Sequence, residues 1–428
     1  MSLKSLSIVI WVIVLNFILS AQQKLTLQDA IEYGVKNNLK LSMTQSQKDI
    51  YEQNIKQSYG NLMPDFKANA GYSYATTKNV FGKNSGSNYS AGLSSNVILF
   101  DGLSNLYSID RNKLDYEIFQ NQLERLKQQI AFNVSELFYN TLSQYYLMKV
   151  EEESIKWNEK NLEYIKEKYN LGAANRADLY NQELKLGLAK SRYISAKNAY
   201  QALRDQLVNL IGLDILEDYE LVSPQVELDT LTVNKEIQKY ENINNLINEA
   251  FANRKDYKNN ILMQKLNDMD YKIAVGNYYP ILSAGWNFNF SSDKFSNFGK
   301  YYNNTFSLNL SIPIFNRFYT DTRVEQYKVN SVIKEIEKLD AERTIKVDIK
   351  KNLLDLKNAS ENYIVSMKNV QFATENKRIV EERYKLGAET LMNVLLAETD
   401  FVNAQTQKIT AVFEFYKNLE KIKYLTGK

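Results

Sequence analysis

Any covalent chemistry in this chain would fall to carboxylates, lysines and serines, because its 428 residues include neither histidine nor cysteine. That absence removes thiolate nucleophiles, imidazole bases, disulfides and almost every zinc or haem site. It also removes the cysteine that a lipoprotein would acylate. Carboxylate pairs or a serine beside a lysine remain as the only options for acid–base or nucleophilic work. The 50 acidic and 53 basic side chains, however, alternate along helical stretches, the pattern of a solvated surface. Their near-neutral balance gives no broad basic field for nucleic acid, and no Gly-x-x-x-x-Gly-Lys-Ser/Thr phosphate loop occurs. The expectation is a protein that is not an enzyme and carries no cofactor or metal.

Residues that recur at a fixed spacing say more. KYNLGA at 168–173 returns as RYKLGA at 383–388, Pro64 lies 216 positions before Pro280, and Phe100 lies 215 before Phe315. Three anchors at one offset mark a tandem duplication of a unit made of a strand hairpin and long helices. Gly172 and Gly387 fall where helical sequence must reverse, and glycine permits both the turn and close backbone approach. Leu171 and Leu386 add a small apolar knob beside each, with Ala173 and Ala388 following. Read from the residues alone, each turn marks the terminator that every helical hairpin needs.

The elements that carry these residues change period along the chain. After Pro64 the spacing shifts from 3.6 to 2: Phe66, Ala68, Ala70, Tyr72 and Tyr74 alternate with small or polar residues. Tyr89, Ala91, Leu93, Val97 and Leu99 do the same against Ser90, Ser94 and Asn96. The second copy sets Leu282, Ala284, Trp286, Phe288 and Phe290 against Asn287 and Asn289, and Phe306, Leu308 and Leu310 against Ser307 and Asn309. One apolar face and one small, uncharged polar face is the pattern of a membrane barrel strand, lipid outside and wet lumen inside. A soluble hairpin resting on a core is the alternative. Strand lengths near the ~9–11 residues of a tilted span, and aromatics towards the strand ends, favour the membrane. Four strands do not close a useful barrel, and an open edge in lipid leaves backbone groups unpaired. Backbone accounting therefore calls for several copies, each giving four strands, with Ser90, Ser94, Asn287, Asn289 and Asn309 facing the lumen.

The remainder reads as helix. Residues 103–171 run without a breaker, ~100 Å if straight, with Leu114, Ile118, Leu126, Ile130, Val134 and Phe138 at multiples of three and four. Asn175 and Asp178 look like the cap of the next helix, which Gly212 ends. Residues 318–385 and 391–425 repeat the arrangement, and Leu395, Val402, Ile409 and Tyr416 form a coiled-coil seam. Residues 27–63 and 243–279 read as one helix each, and residues 213–241 as a connector with a short strand at 225–228. Ahead of all this, an apolar run that ends at ILSAQQ fits a secretory signal peptide cut after Ala21. No later stretch is long and apolar enough for a transmembrane helix.

LTLQDAIEYGVKNNLKL, NLMPDF, VILFDG, IPIFNR and the two tip stretches occur in an order and spacing that resemble the TolC family of outer-membrane efflux proteins, over nearly all of the chain beyond the signal. The resemblance implies a mixed α/β membrane protein, a homotrimer whose twelve-stranded barrel, four strands per subunit, continues as a periplasmic α-helical barrel of coiled-coil hairpins. Its segments would be a signal peptide (1–21), N-terminal helices (22–63), a first barrel hairpin (64–102), a first helical hairpin (103–212) and an equatorial connector (213–242). A second-repeat helix (243–279), second barrel hairpin (280–317) and second helical hairpin with an equatorial part (318–425) would follow. The polar segments 77–88 and 291–304 would be extracellular loops. The implied role is a passive exit duct of a tripartite efflux or type I secretion system in the outer membrane, joined to a periplasmic adaptor and an inner-membrane pump of RND or ABC type. Adaptor hairpins would dock on Leu171, Gly172, Ala173, Leu386, Gly387 and Ala388. Relatives narrow the closed tip with aspartate rings. Asn393 and Leu396 stand where those carboxylates would lie, with Glu389 and Asp178 the nearest acids, so a weaker or displaced ring is expected. A non-channel coiled-coil protein of the envelope is the alternative function.

Overall fold

The computed structural model describes residues 23–80 and 82–428, so the expected signal peptide lies outside the described residues. In chain order the elements are β1 (Gln23–Leu25), α1 (Leu27–Asn37), α2 (Leu39–Ser46), α3 (Lys48–Gly60), β2 (Asp65–Asn79) and β3 (Gly82–Phe100). Then come α4 (Ser104–Asn170), α5 (Arg176–Leu210), β4 (Tyr219–Leu221), α6 (Thr230–Gln238), α7 (Ile243–Asn253) and α8 (Lys255–Gly276). The chain finishes with β5 (Ile281–Ser292), β6 (Tyr302–Ser311), α9 (Tyr319–Lys385) and α10 (Leu391–Leu425). These fall into two compact units, one spanning Met43–Glu124 and Lys255–Arg343, the other residues 23–42 with Arg125–Arg254 and Thr344–Lys428.

In the first unit the four long strands form one antiparallel sheet in the order β2-β3-β5-β6. Ser94 pairs with Lys67 on one side and Asn287 on the other, and Asn287 pairs in turn with Thr305. The ladder extends well past the alternating apolar stretch. Thr76 still faces Ser85 and Lys78 faces Lys83, so the polar segment expected as a loop over 77–88 is largely strand. Backbone pairing needs no apolar face, and the two polar strands satisfy each other's donors and acceptors outside any hydrophobic layer. Beneath the sheet, Ile109, Ile118, Phe119 and Leu262 are buried, and Tyr51 stacks on Phe119 with ring centroids 4.5 Å apart. Arg111 holds α4 to α8 through Asp270 at 2.8 Å and pairs with Asp115 at 2.6 Å.

The second unit is helical apart from one parallel pair, β1 with β4, in register Leu25 to Leu221. The connector strand thus lies at Tyr219–Leu221 rather than 225–228, where no strand forms. Three residues of strand carry too little periodicity to be read from sequence, and here the partner, almost 200 residues away, decides the position. The connector is instead pinned by side chains. The fully buried Tyr363 hydroxyl accepts from the Leu228 amide at 2.9 Å and donates to its carbonyl at 3.1 Å. Tyr416 donates to the Gln225 carbonyl at 2.8 Å. Val412, Phe413, Phe415 and Ile422 on α10 pack inward with Phe138 and Leu142 on α4 among the buried core.

The stretches 27–63 and 243–279 are not single helices. The first divides into α1, α2 and α3, and the second into α7 and α8. Thr26 opens α1 with a capping box to Asp29, and Asn38, in extended conformation, closes it. Arg254 is likewise extended between α7 and α8. Hydrophobic spacing runs through both breaks, which is why they are invisible to periodicity alone.

Candidate conduit surfaces: the strand face and the helical turns

The sheet's register decides which residues share a face. Because β3 and β5 pair an even with an odd residue number, Ser90, Ser94, Asn287, Asn289 and Asn309 all fall on one face. Lys67, Asn69, Ser73, Thr305 and Ser307 join them there. The opposite face carries Phe66, Tyr72, Leu93, Phe306, Leu308 and Leu310, all exposed. Its rings interlock across strands: Tyr72 lies 4.9 Å from Tyr89, Phe288 lies 5.7 Å from Tyr302, and Trp286 lies 6.4 Å from Phe306. Asn304, a polar residue on this face, accepts the indole N–H of Trp286 at 2.8 Å. An exposed aromatic sheet face over a row of small polar groups is chemically suited to separating lipid from water.

At the two helix reversals the chain makes the same turn twice. Gly172 (φ +72°) donates to the Tyr169 carbonyl at 3.0 Å while Ala173 donates to the Lys168 carbonyl at 2.7 Å. Gly387 (φ +76°) and Ala388 repeat both bonds to Tyr384 and Arg383, at 3.1 and 2.9 Å. This six-to-one and five-to-two pairing is a Schellman ending, which consumes carbonyls the helix would leave bare. Leu171 and Leu386 project into solvent at 83% and 84% exposure.

The carboxylates near these turns are occupied. Asp178 accepts at the N-cap of α5, from the Asn175 amide at 3.4 Å, and Asn175 accepts from the Asp178 amide at 2.8 Å. Glu389 accepts from the Asn393 side-chain amide at 2.6 Å and the Thr390 backbone at 3.1 Å. Those bonds, Asn393 foremost, hold its carboxyl below the ordinary glutamate range. Leu396 is exposed one turn further along α10. The first turn also grips the second: Lys168 lies over the Tyr384 ring at 4.4 Å, and Trp157 donates to Glu381 at 2.7 Å.

A pairing that the sequence did not single out lies one to two helical turns below. Lys377 of α9 meets Glu398 of α10 in a close ion pair, with the ammonium between the rings of Trp157 (4.9 Å) and Phe401 (4.6 Å). Both charges are largely buried, beside a cavity of about 610 Å³. Burial pushes the Glu398 carboxyl above the ordinary glutamate range, with Lys377 opposing the shift. The Lys377 ammonium lies on its Oε2, and the Ser154 side chain also bonds this carboxyl. Only the i, i+21 separation of a lysine and a glutamate across a tip turn could have pointed to it, and many such pairs occur in this chain. Among the described residues no group of three or more acidic side chains is placed to hold a metal ion, and no helix is long and apolar enough to cross a membrane.

One two-faced, four-stranded sheet and long helical hairpins, both built from a unit that occurs twice in the sequence, define the class of fold. The family model described as outer membrane efflux protein matches residues 31–213 and 246–428, two segments offset by 215 residues. The chain belongs to that family of outer-membrane channels. It is 21% identical to Outer membrane protein TolC of Escherichia coli over 427 residues, which cover 95% of this chain and 83% of that protein. Among solved structures, the Campylobacter jejuni CmeC outer membrane channel superposes with a TM-score of 0.81 at 17% identity, over 94% of this chain and 85% of its own. The Vibrio cholerae outer membrane protein VceC superposes at 0.79 with 12% identity, over 94% and 96%.

Proposed function

We propose that this chain is one subunit of a homotrimeric outer-membrane exit duct that passively conducts substrate from the periplasm, or from a pump, to the exterior. One observation carries the reading: a four-stranded sheet with an exposed apolar face, a polar opposite face and two open edges, β2 and β6. In lipid those edges must be paired, and three copies give a closed ring of twelve strands. The polar row through Ser90, Ser94, Asn287, Asn289 and Asn309 then lines the lumen, and the long helices extend into the periplasm. The first 21 residues are a signal removed on export. Leu171, Gly172 and Ala173, with Leu386, Gly387 and Ala388, receive the hairpin of a periplasmic adaptor, which couples the duct to an inner-membrane pump of RND or ABC type. The gate lies just beyond, at Asp178, Glu389, Asn393 and Leu396. Because Asp178 and Glu389 are tied into helix caps, the constriction is lined by Asn393 and the apolar Leu396 more than by free carboxylates, and discriminates weakly between cations.

Purified mature protein should require detergent, migrate as a heat-sensitive trimer and show low conductance in planar bilayers. Leu171→Asp combined with Leu386→Asp should abolish efflux with trimer yield unchanged. A water-soluble monomer would remove the duct and leave a structural coiled-coil protein of the envelope as the better reading.

A further inference from the structure

Where the sheet gives way to helices, the end of β3, the first turn of α4 and the last turns of α8 enclose a pocket of about 310 Å³. All of it lies in the unit that carries the sheet. We propose that this pocket holds one zwitterionic phospholipid of the periplasm-facing leaflet, its acyl chain towards the strands and its headgroup on Lys272 and Asp268. The proposal rests on the duct reading and adds a ligand to it.

The strand end makes the pocket continuous with the apolar face of the sheet. Ile98 pairs with Ser283 and Phe100 with Leu282, so Leu99 is an extra residue in the ladder. Strict alternation would send Phe100 to the polar face with Ile98. The bulge turns it instead to the side of Leu282 and Leu310. Leu103 follows with φ +69°, a left-handed conformation that a side chain of this size takes only against steric resistance. The backbone around it is fixed: a Cβ on Gly102 would strike the Gly276 carbonyl, and one on Gly276 would strike the Ser104 hydroxyl. Phe100 and Leu103 are both exposed at the pocket wall. A bulge and a left-handed leucine thus hold two large apolar side chains in the open at a rigid turn. Water gains nothing from either, and a hydrocarbon chain continuing down from the sheet face covers both.

The wall then changes character along the helices. Beside the strands it consists of Phe100, Leu103, Val275 and Tyr279. One turn further from the sheet, about 6 Å along either helix, it carries Tyr107 on α4 and Tyr271 and Lys272 on α8. Asp268 stands a turn beyond, 2.7 Å from the Lys272 ammonium, which also lies 5.8 Å from the centre of the Tyr107 ring. Apolar, then aromatic with a cation, then an anion is the order in which a zwitterionic phospholipid presents its chain, phosphate and ammonium. Both helices make the change over the same turn, so the gradient follows the direction from strands to helices. The Asp268–Lys272 pair is exposed on both sides and is worth little by itself. A headgroup that offers each charge its own partner replaces that contact with two charge-assisted ones. A phospholipid with a phosphate and no ammonium would instead set its negative charge near Asp268 without compensation, which builds discrimination into the site.

Purified trimer, stripped of lipid in mild detergent and titrated with phosphatidylethanolamine, should take up one molecule per subunit by native mass spectrometry. Phosphatidylglycerol should bind about tenfold more weakly. The exchange variant Asp268→Lys with Lys272→Asp keeps an ion pair on the surface of α8 but inverts its order. It should bind phosphatidylethanolamine about tenfold more weakly than the wild type, with trimer yield unchanged. Val275→Trp, which fills the apolar end of the pocket, should take up neither lipid. Excess inorganic phosphate should not displace bound phosphatidylethanolamine. Variants that hold this lipid as the wild type does, or a wild type that takes both lipids equally, overturn the site. Displacement by inorganic phosphate overturns it as well, leaving a plain anion site. In each of those results the trimer persists and the duct stands; wild-type protein that is monomeric and soluble without detergent overturns both.

Discussion

Lys377 and Glu398 pose the sharpest residue-scale question, because a charge pair buried between aromatic rings is expensive to half-remove. Taking away one partner of such a pair typically costs about 3–5 kcal/mol, since the other charge is left without compensation. Here the two sides are unequal. Lys377 keeps two ring faces and the nearby Glu381 carboxylate at 4.0 Å, whereas Glu398, the more buried of the two, keeps a bond from Ser154 but no cation. Lys377→Met should therefore destabilise more than Glu398→Gln. The pH dependence follows from the raised carboxyl. Between the ordinary glutamate value of 4.5 and its elevated folded value, the folded state holds the extra proton, so stability falls as pH rises through that window. The Lys377→Met penalty should be largest at neutral pH and shrink on acidification, whereas the Glu398→Gln penalty, with the titrating group removed, should be largest in acid and shrink as pH rises through the window. Urea unfolding of both variants at neutral and mildly acid pH checks this, and a gap that does not change with pH would sink it.

At the scale of elements, the docking of the connector offers a test that the helices alone do not. One hydroxyl, that of Tyr363, serves the Leu228 amide and carbonyl at once in a fully buried site. Tyr363→Phe leaves that amide without a partner and should cost about 1–3 kcal/mol. The loss should appear first as faster amide exchange over residues 225–228, with the tip turns unaffected; uniform acceleration along α9 would show that the bond props up the helix instead. Tyr363 also marks where sequence reading stops. The period-2 strands, both Schellman turns and the buried Leu395, Val402 and Ile409 were legible because each is local, set by alternation, glycine or heptad spacing within one stretch. The β1–β4 pair, the breaks at Asn38 and Arg254, and the reach of Tyr363 into the connector depend on partners far away in sequence. The polar hairpin end of β2 and β3 was hidden for another reason: its strands pair by backbone alone, and no apolar alternation announces them. At the candidate gate, residue types gave the absence of aspartates at Asn393 and Leu396, but only geometry shows that Asp178 and Glu389 are spent on caps.

For the whole molecule, the sign of each sheet face decides whether a sealed duct is possible, and the two faces respond differently to the same charge. Leu308 lies on the apolar face opposite Ala284, and Asn287 on the polar face between Ser94 and Thr305. If the apolar face meets lipid, Leu308→Arg places a guanidinium in hydrocarbon, at a cost of about 2–4 kcal/mol near the midplane and less towards either interface. Asn287→Arg points its charge into water, should leave trimer yield unchanged, and should make the open channel more anion-selective in planar bilayers. Reversal potentials under a salt gradient read the second effect, and heat-modifiable trimer in membranes reads the first. Equal tolerance of both substitutions would mean that neither face touches lipid. A greater loss from Asn287→Arg would mean that the sheet is inverted, with the aromatic face turned inward. The ring closure and the conductance both require the remaining result, in which arginine is tolerated only among the serines and asparagines.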